Sequence, residues 1–220
     1  MANVDQLLIV SALTNPEPDL VLLDRLLILA EVNSLEPIII FNKIDLTTEK
    51  LAIVNEYEKI GYDVIISSAK TGEGIDEIKS RFAGKISVLA GASGVGKSSI
   101  LNAILPELSL KTGEVSKKLK RGKHTTRHAQ LLVMKNGGLV ADTPGFSRLY
   151  LPKDMVREEL GPLFPEFAVR QQNCKFSTCL HNKEPQCAIK KAVEQGEIAE
   201  WRYEHYLQFL DEVINNERSY

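Results

Sequence analysis

Lys85-Ile-Ser-Val-Leu-Ala90 runs without a break into Gly91-Ala-Ser-Gly-Val-Gly-Lys-Ser98, and a helical run continues to Leu105. The apolar stretch 85–90 predicts a buried strand, and residues 98–105 predict a helix. Between them, residues 91–98 match G-x-x-x-x-G-K-[ST] with no gap. Such glycines let the backbone wrap inward so that several N–H groups point at one spot, and the helix starting near Lys97 adds its positive dipole end. That is a receptacle for a phosphate chain. A chance Gly-rich turn needs neither the strand before it nor the helix after it. Gly91, Ala92, Ser93, Gly94, Val95, Gly96, Lys97, Ser98 and Ser99 are the expected lining. Lys97 would reach the β- and γ-phosphates, and Ser98 would ligate Mg²⁺.

Working outward, short apolar runs at 6–11, 37–41 and 63–67 predict three strands before the loop. Helical spacing at 20–31, 50–60 and 74–81 separates them. Two further strands are expected at 130–134 and 138–141. Continuous apolar strands alternating with helices predict an α/β fold with a mostly parallel sheet covered on both faces. After Pro144 the pattern changes: strands stop, Pro and Phe become common, and helical spacing returns over 187–214. The expected domains are therefore 1–149 and 150–220, the second small and helical.

The loop specifies a nucleoside triphosphate without choosing the base. Asn42-Lys-Ile-Asp45 lies at the end of the predicted strand 37–41. The Asp45 carboxylate can accept from N1–H and the exocyclic amine of guanine, a donor pair that adenine lacks. Lys43 can lay its stem on the base, and Asn42 can tie this turn to the phosphate loop. Taken alone, Asn and Asp in such a turn mean little. Ser68-Ala69-Lys70, at the end of strand 63–67, can offer a backbone N–H to the guanine oxygen. Asp142-Thr-Pro-Gly145 ends strand 138–141; Asp142 would bind Mg²⁺ through water, and the Gly145 N–H would sense the γ-phosphate. Four weak signals at the carboxyl ends of four strands reinforce one another, because open α/β sheets bind ligands along that edge.

Composition narrows the classes. The 220 residues are 44% hydrophobic and 25% charged, with a net charge of −2, a globular balance without global basicity. Any nucleic-acid contact must therefore be local. No apolar run is long enough to span a bilayer, and no signal-peptide pattern opens the sequence, so the expected address is the cytoplasm and no membrane partner is expected.

Cys174, Cys179 and Cys187 are the three cysteines, and His181 stands among them. An odd, clustered set argues against a disulfide framework. Three thiolates and one imidazole suit one closed, tetrahedral, structural Zn²⁺. Buried free cysteines are the alternative, but this segment, rich in Lys, Asn and Glu, is unlike an apolar core. Residues 111–128 carry seven Lys or Arg and few apolar residues, which reads as a solvated loop or a switch segment able to meet RNA phosphates. Thr126, with Thr125 as the alternative, is the candidate switch threonine for Mg²⁺. In many GTP hydrolases a Gln after the last Gly of the Asp-x-x-Gly motif orients the attacking water. Here that position is Phe146. His124, beside the threonines, is the best candidate in its place; a neutral imidazole can accept from water.

The order of the motifs is NKID, SAK, GASGVGKS, then DTPG, whereas ordinary small GTPases run GKS, DxxG, NKxD, SAK. The chain thereby resembles circularly permuted GTPases. More specifically, GASGVGKSSILN, RGKHTTRH, DTPGF and CKFSTCLHNKEPQCA resemble the ribosome small-subunit-dependent GTPase A family, from about Asn3 to the C-terminus. The resemblance implies a GTPase acting in late maturation of the small (30S) ribosomal subunit and stimulated by it, with rRNA as partner, the four zinc ligands named above, and His124 as catalytic group. That family opens with an OB-fold that helps grip rRNA; the resemblance here begins at about Asn3, so either a trimmed or a short member is expected. A monomer is expected. Two other classes compete: a GTP-gated rRNA-binding module whose slow hydrolysis is only a release timer, and a metabolic NTP enzyme, for which no acceptor site is visible.

Overall fold

The computed structural model describes residues 3–47, 52–106, 130–134, 137–142 and 150–218. The chain divides into two compact units, Met1–Leu149 and Tyr150–Tyr220.

In the first unit, strands β1 (Gln6–Ala12), β2 (Glu36–Asn42), β3 (Asp63–Ile66), β4 (Ile86–Ala90), β5 (Gln130–Val133) and β6 (Leu139–Asp142) form one sheet, ordered β3-β2-β1-β4-β6-β5. All pairings are parallel except β5 with β6. That hairpin turns near Gly137, which holds φ +82°. Strands 1 to 3 step outward on one side, and β6 and β5 lie on the other. The order therefore reverses between β1 and β4, which is where such sheets bind ligands.

Helices α1 (Leu20–Val32), α2 (Ala52–Ile60), α3 (Ile75–Arg81) and α4 (Lys97–Ile104) cover the sheet. Alternation along the strands sorts the core. Leu8, Val10, Ile38, Ile40, Ile65, Leu89 and Val140 share one cluster with Ile78 and Phe82 and with Ile100 and Leu101 of α4. Each fully buried Leu or Ile contributes about 1.5–3 kcal/mol. The opposite face meets α1, whose N-cap Asp19 accepts from Leu22 N–H at 2.9 Å. On that side Tyr57 of α2 packs on Phe41 and donates its hydroxyl to buried Asp24 of α1 at 2.5 Å.

The second unit contains α5 (Arg157–Leu160), α6 (Pro165–Ala168), α7 (Ala188–Glu194) and α8 (Glu200–Glu217). The helical spacing over 187–214 resolves into two helices. Gly196, at φ +70°, ends α7. Its N–H meets Val193 O at 3.0 Å, and Glu197 N–H meets Ala192 O at 2.9 Å, the paired bonds of a Schellman cap. Helix α8 turns Arg202, Tyr206, Phe209, Leu210 and Val213 inward. Tyr206 packs against Phe164 and Phe167. Arg202 meets Glu166 in a two-point ion pair, Nε donating to Oε1 at 2.8 Å and Nη2 to Oε2 at 3.1 Å, with side chains only 1% and 6% exposed. Its guanidinium also lies 4.8 Å from the Phe164 ring centroid.

Candidate nucleotide site and metal centre

The phosphate loop joins β4 to α4. Gly91 holds φ +140° and Gly96 φ +102°, and close approach of other backbone and side chains forbids a Cβ at either. At Gly91 it would stand 2.0 Å from Val10 O; at Gly96, 2.2 Å from Asn42 Nδ2. Lys97 folds back over the loop, donating to Gly91 O at 2.8 Å and Ala92 O at 2.7 Å. The ammonium is thus held at the centre of the curl.

Asn42 is the last residue of β2 and is 2% exposed. It joins two loops that are far apart in sequence. Its Nδ2 donates to Val95 O at 2.9 Å, and its Oδ1 accepts from Ala69 N–H at 3.1 Å and from Ser67 Oγ at 3.4 Å. The tie expected between Asn42 and the phosphate loop is therefore present, and a second tie, to the Ser68-Ala69-Lys70 loop, accompanies it. Ser67 N–H to Phe41 O at 2.8 Å and Ile44 N–H to Ser67 O at 3.1 Å complete the seam.

Asp45 sits in a one-turn 3₁₀ segment, Ile44–Leu46, launched by Lys43 in the left-handed region at φ +70°. Ser68 Oγ donates to Asp45 Oδ1 at 2.8 Å, and Lys70 Nζ lies 3.5 Å from Oδ2. The Ser68 hydroxyl, with Lys70 adding to it and desolvation opposing, holds this carboxyl below the usual carboxylate range. An ionised Asp45 is the form that can accept two N–H bonds. Lys43 donates to Gly94 O at 2.8 Å and to Asn15 O, so it clamps the phosphate loop to the turn after β1. Two amides of the 68–70 tripeptide are engaged within the protein: Ser68 N–H by Glu73 O at 2.9 Å and Ala69 N–H by Asn42.

Asp142 ends β6, and its backbone is in register with Leu89 on β4, two residues before Gly91. His124, Thr125, Thr126, Gly145 and Phe146 lie outside the described residues.

In the second unit the ligand atoms of Cys174, Cys179, His181 and Cys187 all lie within 4.8 Å of one another. Cys174 Sγ is 4.0 Å from Cys187 Sγ and 3.6 Å from His181 Nδ1, and Cys187 Sγ is 3.4 Å from the same nitrogen. In a zinc tetrahedron with Zn–S of about 2.3 Å and Zn–N of about 2.0–2.1 Å, ligand atoms stand roughly 3.5–3.8 Å apart. The donor set and spacing fit a four-coordinate ion. Burial pushes the Cys179 thiol up to about 12 and the Cys187 thiol up as well, and lowers the His181 imidazole. A divalent cation is the partner that lets such groups ligate as thiolates.

The cluster is braced from outside by residues that sequence reading did not single out for the purpose. Tyr203 Oη donates to His181 O at 2.6 Å and Tyr206 Oη to Leu180 O at 2.8 Å, both from α8. The Glu184 carboxylate accepts from Leu180 N–H at 3.0 Å and Asn182 N–H at 2.9 Å. The ring of His181 packs edge-on to Phe167. Ala188 N–H, at the start of α7, reaches Cys174 Sγ at 3.4 Å.

The family model for the RsgA GTPase matches residues 1–152. The chain is 55% identical over 221 residues to the small ribosomal subunit biogenesis GTPase RsgA of Moorella thermoacetica, a match covering 100% of this chain and 76% of that protein. It is 47% identical over 226 residues to the protein of the same name from Bacillus subtilis, covering 100% and 75%. Among solved structures it resembles YjeQ from Thermotoga maritima with TM-score 0.79 and 45% identity, covering 96% of this chain and 72% of the other. It resembles YloQ, described as a circularly permuted GTPase, with TM-score 0.78 and 42% identity, covering 97% and 69%.

Proposed function

The chain belongs to the RsgA GTPase family, and we infer from that membership that it is a circularly permuted GTPase that hydrolyses GTP to GDP and phosphate in biogenesis of the small ribosomal subunit. The observation that carries the nucleotide reading is Asn42, which fastens the phosphate loop to the Ser68–Lys70 loop while Ser68 and Lys70 hold Asp45 ionised. One residue thereby registers the base-reading edge against the phosphate cradle.

The 1–149 unit is then the GTPase domain and the 150–220 unit a zinc-bearing helical domain. Asp45 accepts from the guanine N1–H and amine. With the Ser68 and Ala69 amides engaged inside the protein, the Lys70 amide is the one left to meet the guanine oxygen. Lys97, now on Gly91 and Ala92 carbonyls, transfers to the β- and γ-phosphate oxygens when these arrive. Ser98, Thr126 and Asp142 would hold Mg²⁺, whose chemistry is to neutralise charge on the β- and γ-oxygens. His124 orients water for in-line attack, and the Gly145 N–H senses the γ-phosphate. Cys174, Cys179, His181 and Cys187 hold one structural Zn²⁺; four protein ligands leave no open position for substrate. The partner is the 30S subunit and its rRNA, met in the cytoplasm by a monomer.

The test of base reading is Asp45→Asn. It should weaken GTP binding and favour xanthosine triphosphate, whose extra carbonyl prefers an amide donor. If Asp45→Asn binds GTP as well as the parent in a fluorescent-nucleotide titration, Asp45 does not read the base.

A further inference from the structure

Between the ligand residues Cys174 and Cys179 lie Lys175, Phe176, Ser177 and Thr178, and all four are exposed. Phe176 is 43% exposed. A single exposed aromatic is ordinary on a protein surface. What distinguishes this one is how it is held and what surrounds it. Both ends of its segment are ligand residues of one cluster. Within the segment, Cys179 N–H donates to Phe176 O at 3.2 Å, and Lys175 N–H donates to Gln186 O at 3.4 Å across the loop. The ring is therefore displayed on a short turn whose backbone is already fixed, so binding through it forfeits little chain entropy.

Charge supplies the second observation. From Cys174 to Lys191 there are four lysines, Lys175, Lys183, Lys190 and Lys191, and one acid, Glu184. The Glu184 carboxylate is occupied by the loop's own amides at Leu180 and Asn182. Lys175 Nζ stands 5.6 Å from the Phe176 ring centroid, so a cation accompanies the aromatic surface. Helix α8, in the same unit, has the opposite character: it carries Glu200, Glu204, Asp211 and Glu212, while its Glu217 is paired with Arg157 and its one arginine, Arg202, is buried on Glu166. A polyanion is thus drawn to the metal loop and repelled by α8.

Resting on the reading that this chain works on ribosomal RNA, we propose that the Lys175–Thr178 turn is a platform for an unpaired RNA base, with Phe176 stacking on the base and Lys175 and Lys183 meeting flanking phosphates. The exposed hydroxyls of Ser177 and Thr178 can bond to sugar or base edges. Single-stranded RNA is the occupant because only an unstacked base offers a face to the ring, and paired bases are already stacked. An acidic protein segment would satisfy the lysines and leave Phe176 without a partner.

The experiment uses the full chain with short single-stranded RNA carrying 2-aminopurine, and a duplex RNA of the same length. The parent should bind the single strand more tightly than the duplex and quench the 2-aminopurine emission. Phe176→Ala should weaken single-strand binding about tenfold and abolish the quench, with duplex binding unchanged. Phe176→Trp should retain both properties. Phe176→Leu, which keeps apolar bulk for any packing role, should lose the quench. Lys175→Gln should lower the slope of log affinity against log salt by about one. Metal content and GDP binding, measured on each variant, should match the parent. The proposal is overturned if Phe176→Ala and Phe176→Leu quench and bind as the parent does, or if polyglutamate displaces the single strand as readily as unlabelled RNA. Failure of the chain to hydrolyse GTP would overturn the functional reading and leave these RNA measurements to be judged by themselves.

Discussion

Replacing Asn42 by aspartate exchanges one donor for an acceptor at the joint between the two halves of the nucleotide site. The Nδ2 that donates to Val95 O at 2.9 Å becomes an oxygen, while the acceptor for Ala69 N–H at 3.1 Å is kept. A buried carbonyl left without its donor costs about 1–3 kcal/mol, and at 2% exposure the new carboxylate has little water to turn to. Asn42→Ala loses both ties, strands the Ala69 amide as well, and should cost roughly 2–6 kcal/mol in all. Once the phosphate loop is unpinned, nucleotide binding must restore its geometry. A penalty of about 2 kcal/mol corresponds to roughly a thirtyfold rise in Kd. GDP and GTP should lose equally, since the tie lies away from the γ-phosphate. Guanine preference over xanthine should survive in Asn42→Asp, because Asp45 and its partners are untouched. Denaturant unfolding gives the first quantity, and titration with a fluorescent guanine nucleotide gives the second. If Asn42→Asp unfolds within about 0.5 kcal/mol of the parent and binds GDP with parental Kd, the joint is not what organises the site.

Metal analysis of the purified chain should find about one Zn²⁺ per chain; Cys187→Ser should lower that content, and chelation should unfold the 150–220 unit while GDP binding persists. A metal-free chain with an intact second unit would contradict the assignment. In the core of that unit, Arg202→Met should cost about 3–5 kcal/mol by stranding Glu166, and Arg202→Met combined with Glu166→Leu should recover most of the loss. Equal unfolding midpoints for the parent and Arg202→Met would show that the buried pair contributes nothing.

The parts of this molecule that were legible in the sequence are those whose signal is local. Residues 85–105 contain a strand, a phosphate loop and a helix start in one continuous run, and the structure places them as β4, the loop and α4. The motifs NKID and SAK gain meaning from standing at strand ends, and apolar runs of this length mark strand ends well. The cysteine and histidine spacing likewise brings all four ligand atoms together. What escaped has its partner far along the chain. Arg202 and Glu166 are 36 residues apart, and nothing in either neighbourhood says that they are buried against each other. Tyr203 and Tyr206 look like ordinary helix residues until their hydroxyls meet the carbonyls of His181 and Leu180. The break in the 187–214 helical run had a local signal, Gly196, that apolar spacing alone overrides. The antiparallel β5–β6 hairpin had one too, Asn136-Gly137, a pair favoured in tight hairpin turns. The stretch 150–175 yields single helical turns at α5 and α6, too short to generate a period.

Hydrolysis of GTP at this site is proposed to be under the control of the small ribosomal subunit. The measurement that addresses it most directly is the rate of phosphate release from GTP by the full chain, alone and with purified small subunits, for the parent and for His124→Ala. Release should be slow alone, because Phe146 rather than Gln follows Gly145. The subunit should strongly stimulate the parent, and His124→Ala should lose most of that stimulation with GTP binding near normal. A parental rate that small subunits leave unchanged would contradict the claim. Full stimulation of His124→Ala would transfer the water-orienting role to a group supplied by the subunit.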